Sequence, residues 1–162
     1  EANLIGSNLT EANLGGAKLT GRFTREGYFS RGANLTRCIL KGVDLSLADC
    51  HGADIADADL RDANLSNSNL IETDLKRVNL SGANLTGANL SESNLRKATL
   101  TGANFKDVRL LETKLTGVDL SQVVNLSPKE VTLAIIDKKT KVPDNLEIHW
   151  ISDETFECKE RP

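Results

Sequence analysis

The sequence predicts an all-β fold, a four-sided β-solenoid of about six coils with a C-terminal α-helical cap. Three observations carry this. From Leu35 a large apolar residue recurs every five positions to Leu120, 18 times in succession, 15 of them Leu and the others Cys50, Ile55 and Phe105. Two residues before each stands a smaller one, as at Ala33, Ala53, Ala83 and Val118. Between the two lies Asn or Asp in 14 of the 18 repeats. On an α-helix five residues advance about 500°, so the leucines would spiral around the surface. On a flat strand an odd period throws them to alternate faces. A single inward stripe survives if the chain turns a quarter-circle per repeat, closes after four, and stacks coil on coil at ~4.8 Å. Each Leu then has another directly above it, four repeats further along the chain, and the smaller residues admit the close approach of the backbone. Short repeats of this kind bury their apolar face only against stacked neighbours.

The repeats Ala53-Asp54-Ile55-Ala56-Asp57, Ala63-Asn64-Leu65-Ser66-Asn67 and Ala83-Asn84-Leu85-Thr86-Gly87 resemble the pentapeptide-repeat family, whose motif is A(D/N)LXX. The likeness runs from about Glu1 to Ser121 and implies a right-handed quadrilateral β-helix. It implies no activity, because the motif residues are the structural ones. It is strongest toward the A(D/N)L-rich members of cyanobacteria and plant plastids, mostly of unassigned function.

Composition narrows the function classes. The net charge is −3, from 20 basic and 23 acidic residues, so the total argues for neither nucleic-acid nor membrane binding. The longest apolar run is far short of a membrane span. The chain starts in mid-repeat and has no Met. We therefore expect that something upstream was removed, with a cytoplasmic location or, after loss of an N-terminal signal, the thylakoid lumen or periplasm. Cys38 and Cys50 fall on inward positions, where a thiol serves as a small hydrophobe, whereas Cys158 reads as free.

Taken in order, residues 1–122 form the repeat unit and residues 123–162 a C-terminal cap unit. Leu4, Leu9, Leu14 and Leu19 hold an early phase. Leu19 and Leu35 stand one position more than three repeats apart, which predicts an irregular coil over 20–34 with the extra residue near Gly32. Gly42, Gly52, Gly82, Gly87, Gly102 and Gly117 fall two residues after the large apolar residue, where a corner favours positive φ. Asn125 breaks the pattern, and Ser127-Pro128-Lys129-Glu130 reads as a helix start with Ser at the N-cap and Pro at the first position. Val131, Leu133, Ala134, Ile135 and Ile136 make the following helix a cover for the last leucine layer and its strand edge. Lys138 to Asn145 is a polar turn. Leu146, Ile148 and Trp150 alternate with polar residues as a short extended segment, and Glu154 to Pro162 reads as a loose tail.

No catalytic constellation emerges, and no cofactor or metal is expected. His51 and His149 lack ligand-spaced partners, and the Asp residues come one per repeat on different faces. The Asn-Leu-Ser/Thr triplets match a glycosylation sequon only because the repeat spells it. Folded at four repeats per coil, the chain places Lys76, Arg77, Arg96, Lys97 and Lys114 on one face, with Arg37 further along, beside a column of Glu72, Glu92 and Glu112. The irregular segment brings Arg22, Arg25 and Arg31 together in sequence, with Tyr28 as the outward aromatic. Arg22, Arg25, Tyr28, Arg31, Lys76, Arg77, Arg96 and Lys97 are therefore the candidate partner-binding residues. The leading reading is a non-enzymatic protein-interaction or scaffold module, with homo-oligomer formation expected through the N-terminal end of the solenoid. The family's alternative is a DNA-mimic inhibitor or protector of DNA gyrase or topoisomerase IV. That role wants an acidic surface, which basic residues interrupt here, and often a repeat richer in Phe and Cys.

The inward assignment is open to a direct check. Leu85→Ala should cost ~2–5 kcal/mol as a cavity, and Ala83→Leu ~1–3 kcal/mol by overpacking. A thermal melt in which Ala83→Leu is harmless would contradict it.

Overall fold

The structure, a computed structural model, describes residues 3–20 and 32–162. Its repeats stack in parallel at an offset of 20. Asn34 pairs with Asp54, Asp54 with Asp74, and Asp74 with Asn94, and parallel series start at Ile39, Asp44 and Asp49. Leu35 to Leu120 fill the interior in four columns, each member at most 1% exposed. The smaller residues two positions earlier are buried beside them, with Ala98 the one half-buried member.

One repeat shows why the motif has five residues. Ala53 N–H donates to Cys50 O (2.9 Å) and closes the corner, and Asp54 N–H donates to Ala33 O (3.0 Å) in the preceding coil. Ile55 and Asp57 N–H donate to Asp74 O (2.8 Å) and Lys76 O (2.9 Å) in the following coil. Ala56 N–H, facing out at the corner, is taken by the Asp54 side chain (Oδ1, 3.1 Å). All five amides are thus satisfied, as buried or half-buried backbone demands. All 14 Asn and Asp residues of the regular run serve their repeat in this way. At Thr36, Ser81, Thr86, Ser91 and Ser121 the hydroxyl that follows the Leu donates to the same oxygen at 2.6–2.7 Å. The recurring Asn-Leu-Ser/Thr triplet has this structural reason. Several Asn side chains also donate to the residue one coil earlier, as Asn64 Nδ2 does to Asp44 Oδ1 (3.1 Å) and Asn69 Nδ2 to Asp49 Oδ1 (2.9 Å).

Each corner is a turn closed from the Leu carbonyl, and its third residue has positive φ at every repeat from Arg37 to Gly117. Glycine meets that demand without strain, as Gly82 does at 71°. Gln122 departs from the left-handed region. The ladder slips there: Gly102 N–H bonds Gln122 O, and Leu100 and Asp119 N–H form no backbone bond among the described residues.

The early phase needs a correction. Asn3, Asn8, Asn13 and Lys18 pair with Asn34, Ile39, Asp44 and Asp49, an offset of 31 in place of 20. Ala33 N–H donates to Leu19 O (2.7 Å), closing the corner that follows Leu19 directly in the repeat pattern. Leu19 and Leu35 therefore belong to consecutive repeats with an insertion spliced into one corner, and are not the ends of three repeats plus one. Most of the irregular coil expected over 20–34 lies outside the described residues. Gly32 marks the seam through close approach: a Cβ there would lie 2.7 Å from the Ala53 backbone. Leu4, Leu9, Leu14 and Leu19 are half-buried because their layer has a described neighbour on one side only.

After the last full coil the chain changes type. Helix α1 (Pro128–Leu133) is capped by Ser127, whose side chain accepts from Glu130 N–H. It is shorter than the apolar run suggests. Val131 and Ala134 are buried, but Leu133 and Ile135 are 38% and 42% exposed. Ile135 leaves the helix to pair with Lys114, and Lys141, expected within a polar turn, pairs with Asp119. Strand β1 (Leu146–Trp150) pairs antiparallel with β2 (Phe156–Glu160), Ile148 opposite Cys158. Most of the segment read as a loose tail is thus a strand, and Cys158 on it is a free thiol, as expected, but a buried one. Only Phe156 and Cys158 mark its inward side, too few to register as alternation.

Leu47 stands in the left-handed region (φ 59°) with 69% of its surface exposed. An L-residue there costs ~1–2 kcal/mol, partly offset in Gly by chain entropy. Leu47→Gly should raise stability by ~0.5–1 kcal/mol, visible as a melting temperature higher by roughly 2 °C.

Candidate functional site

The interior is filled and the repeat consumes its own amides, so the chemistry available for function lies on the outer faces. The face centred on Asn34, Asp54, Asp74, Asn94 and Lys114 stands out. Consecutive strands of it read Glu72-Thr73-Asp74-Leu75-Lys76-Arg77 and Glu92-Ser93-Asn94-Leu95-Arg96-Lys97. Thr73, Leu75, Ser93 and Leu95 are buried, so each strand presents Glu on the entering corner, a short Asx in the middle and two bases on the leaving corner. Glu112 extends the acidic edge and Arg37 the basic one.

This arrangement is not what stability alone would select. Glu72, Glu92, Glu112, Arg37, Arg77 and Lys97 hold φ between 55° and 61°, at a corner position that Gly fills in six repeats of the regular run and Leu47, Asp57, Asp62, Asn67 and Asp107 in others. Non-glycine residues there store strain. Like charges are also stacked one coil apart, which is mildly destabilising. Arg77 is partly relieved by a two-pronged ion pair with Asp57, and Arg96 Nε donates to Thr116 Oγ1 (3.3 Å). His51 Nε2 lies 3.6 Å from Glu72 Oε1. Among the described residues, the side chains of Lys76, Lys97, Glu92 and Glu112 form no hydrogen bond or ion pair.

Of the sequence-predicted candidates, the structure places Lys76, Arg77, Arg96 and Lys97 together on the basic corner, Lys76 half-buried and the others exposed. Arg22, Arg25, Tyr28 and Arg31 lie outside the described residues. Sequence reasoning missed the Asp57 partner of Arg77 and the left-handed backbone of both charged columns. The first follows from folding at four repeats per coil, since Asp57 is one coil before Arg77. It also missed a cleft at the ladder slip, lined by Ala98, Thr99, Leu100, Thr101, Asp119 and Gln122. No group of three or more His, Cys, Asp and Glu among the described residues is placed to hold a metal. No helix among them is long and apolar enough to cross a membrane.

The sequence profile of pentapeptide repeats matches eight copies, over residues 1–21, 31–62, 44–82 and 83–122. The chain belongs to the pentapeptide repeat family. Members form right-handed quadrilateral β-helices, in keeping with the stacked four-sided coils seen here. Similar solved structures include Rfr23, a pentapeptide repeat protein of the cyanobacterium Cyanothece 51142, at 32% identity, covering 87% of this chain and 88% of that one, TM-score 0.33. Another is a pentapeptide repeat protein of the Arabidopsis thaliana thylakoid lumen, at 26% identity, covering 71% and 69%, TM-score 0.49. A third is a trypsin-treated variant of QnrB1, a plasmid-mediated fluoroquinolone resistance protein, at 18% identity, covering 88% and 80%, TM-score 0.35. No curated protein sequence matches.

The carboxylates of this pentapeptide repeat chain predict its acid behaviour. Bonds from Arg77 hold Asp57 below the ordinary carboxylate range, and bonds from Arg61 do so for Asp59. The Lys141 ammonium (2.8 Å), with Ser121, takes Asp119 down to about 2. A depressed folded-state value stabilises above the unfolded value of ~3.9 and is lost as pH falls through the folded one. Stability should be level from neutral pH to about 5 and decline between ~4 and ~2. Asp119→Asn should shallow that decline, as read by denaturant titration at each pH.

Proposed function

We propose that this chain is a non-enzymatic interaction or scaffold module that offers rigid surfaces to a protein partner. The observation that carries the reading is the charged face, where strained corners hold Glu on one edge and Lys or Arg on the other at two successive levels. Beyond the contacts of Arg77 with Asp57, Arg96 with Thr116 and Glu72 with His51 the fold gains little from that pattern, so a binding role accounts for it better than stability does. Partner contacts are assigned to Lys76, Arg77, Arg96 and Lys97, which steer association, and to Arg22, Arg25, Tyr28 and Arg31, whose residue types suit an anchor.

In the same reading residues 1–122 form a solenoid of about six coils and residues 123–162 its cap. Two bonds support the cap role. Glu130 Oε2 accepts from Leu110 N–H (2.9 Å) and Asp137 Oδ1 from Gly117 N–H (2.8 Å), amides that a further coil would otherwise engage. The compartments compatible with this role are the cytoplasm and, for a chain whose N-terminal signal has been removed, the thylakoid lumen or periplasm.

The second reading, a DNA mimic acting on gyrase or topoisomerase IV, needs a continuous acidic surface. The basic edge interrupts it at Lys76, Arg77, Arg96 and Lys97. A gyrase supercoiling assay separates the two. Our reading expects supercoiling unchanged by the protein. It also expects capture of a host protein that Tyr28→Ala with Arg25→Ala abolishes while the melt stays the same. Inhibition or protection of gyrase would favour the mimic. A lower melting temperature with capture intact would remove Tyr28 and Arg25 from the binding surface.

A further inference from the structure

The charged face carries a second consequence, independent of any other partner. Its acidic and basic columns lie on opposite edges of one flat face, at the same heights along the solenoid, because Glu72 and Lys76–Arg77 bound one strand and Glu92 and Arg96–Lys97 bound the next. Among the described residues no ion pair joins Glu72 or Glu92 to the bases at the other end of its strand. A two-fold axis running along the centre of the face and parallel to the solenoid swaps left and right edges but preserves height. Under that operation the Glu of each strand faces the basic corner of the same strand in a second copy. A two-fold axis along the strand direction would instead set Glu on Glu and base on base, so the charge pattern selects one geometry.

We propose that this face is a self-complementary interface through which two copies of the chain pair side by side, with their solenoids parallel. Glu72 meets the partner's Lys76, and Glu92 meets the partner's Arg96 and the partner's Lys97. At the third level the leaving corner, Thr116–Gly117, carries no base, and Lys114, in the central column, sits at the axis next to the partner's Lys114 and relieves that contact by leaning to the partner's Glu112. Ile135, paired above Lys114 and 42% exposed, continues the centre of the face and contributes apolar contact near the axis. The side chains of Lys76, Lys97, Glu92 and Glu112, which pair with nothing among the described residues, gain their counter-charges in the dimer. Exposed ion pairs are individually weak and screened by salt, so the dimer is concentration-dependent and salt-sensitive.

Sedimentation equilibrium on the full chain tests this. The wild type should dimerise at low salt, with a Kd weakened at least ~10-fold at high salt. Glu72→Lys with Glu92→Lys makes the face predominantly basic, and Lys76→Glu with Arg96→Glu and Lys97→Glu makes it predominantly acidic. Each variant alone should be monomeric with an unchanged melt, and an equimolar mixture should restore a dimer. A monomeric wild type across the whole concentration range would overturn the proposal. So would a mixture that stays monomeric. A dimer indifferent to both charge sets would also overturn it and point to the half-buried leucines Leu4, Leu9, Leu14 and Leu19.

Discussion

The structure depends on one constraint: in every repeat, five backbone amides must find partners while the chain turns a right angle. Three are taken by neighbouring coils, one closes the corner, and the last is left at the corner's outer side, where no backbone carbonyl reaches it. The Asn or Asp before each Leu supplies that acceptor. Its role explains why the outward residue in the middle of each side is so restricted, although it contributes nothing to the apolar core. Where it is missing, at Ile39, Thr99, Arg109 and Lys114, the amides of Lys41, Thr101, Leu111 and Thr116 form no bond among the described residues.

The same geometry sets the corner's left-handed residue and so creates a choice. Gly fills it without strain. Glu72, Glu92, Glu112, Arg77 and Lys97 fill it at a cost of ~1–2 kcal/mol each, and they do so in like-charged columns. Strain and repulsion coincide on one face, with opposite signs at its two edges. That coincidence distinguishes this face from one that merely carries solvated charge. It is also why function is sought there and not at the cleft beside Leu100, where the slip has a local cause in the corner at Gln122.

Most of the fold was legible because it obeys a local rule. The period of five names the inward columns, and folding at four repeats per coil brings Glu72, Glu92 and Glu112 into line without coordinates. What escaped depends on which segments meet. The spacing from Leu19 to Leu35 looks like three repeats plus one residue, and only the pairing of Lys18 with Asp49 shows a splice within a single corner. The apolar run through Ile136 reads as one helix, but Ile135 is drawn out to pair with Lys114. Phe156 and Cys158 are too sparse a pattern to announce a strand. At the charged face the columns and the corner position were visible from the sequence, whereas the pairing of Arg77 with Asp57 was not read from it.

Native-state hydrogen exchange, read residue by residue by NMR, tests the amide assignment most directly. The account predicts a rhythm that repeats with the motif, with the amide after each Leu exchanging fastest because a side chain alone holds it. Lys41, Thr101, Leu111 and Thr116 should exchange faster still than Thr36, Ser81 and Thr86, whose Asn acceptors are in place. Uniform protection along the coils, or slow exchange at those four amides, would contradict it.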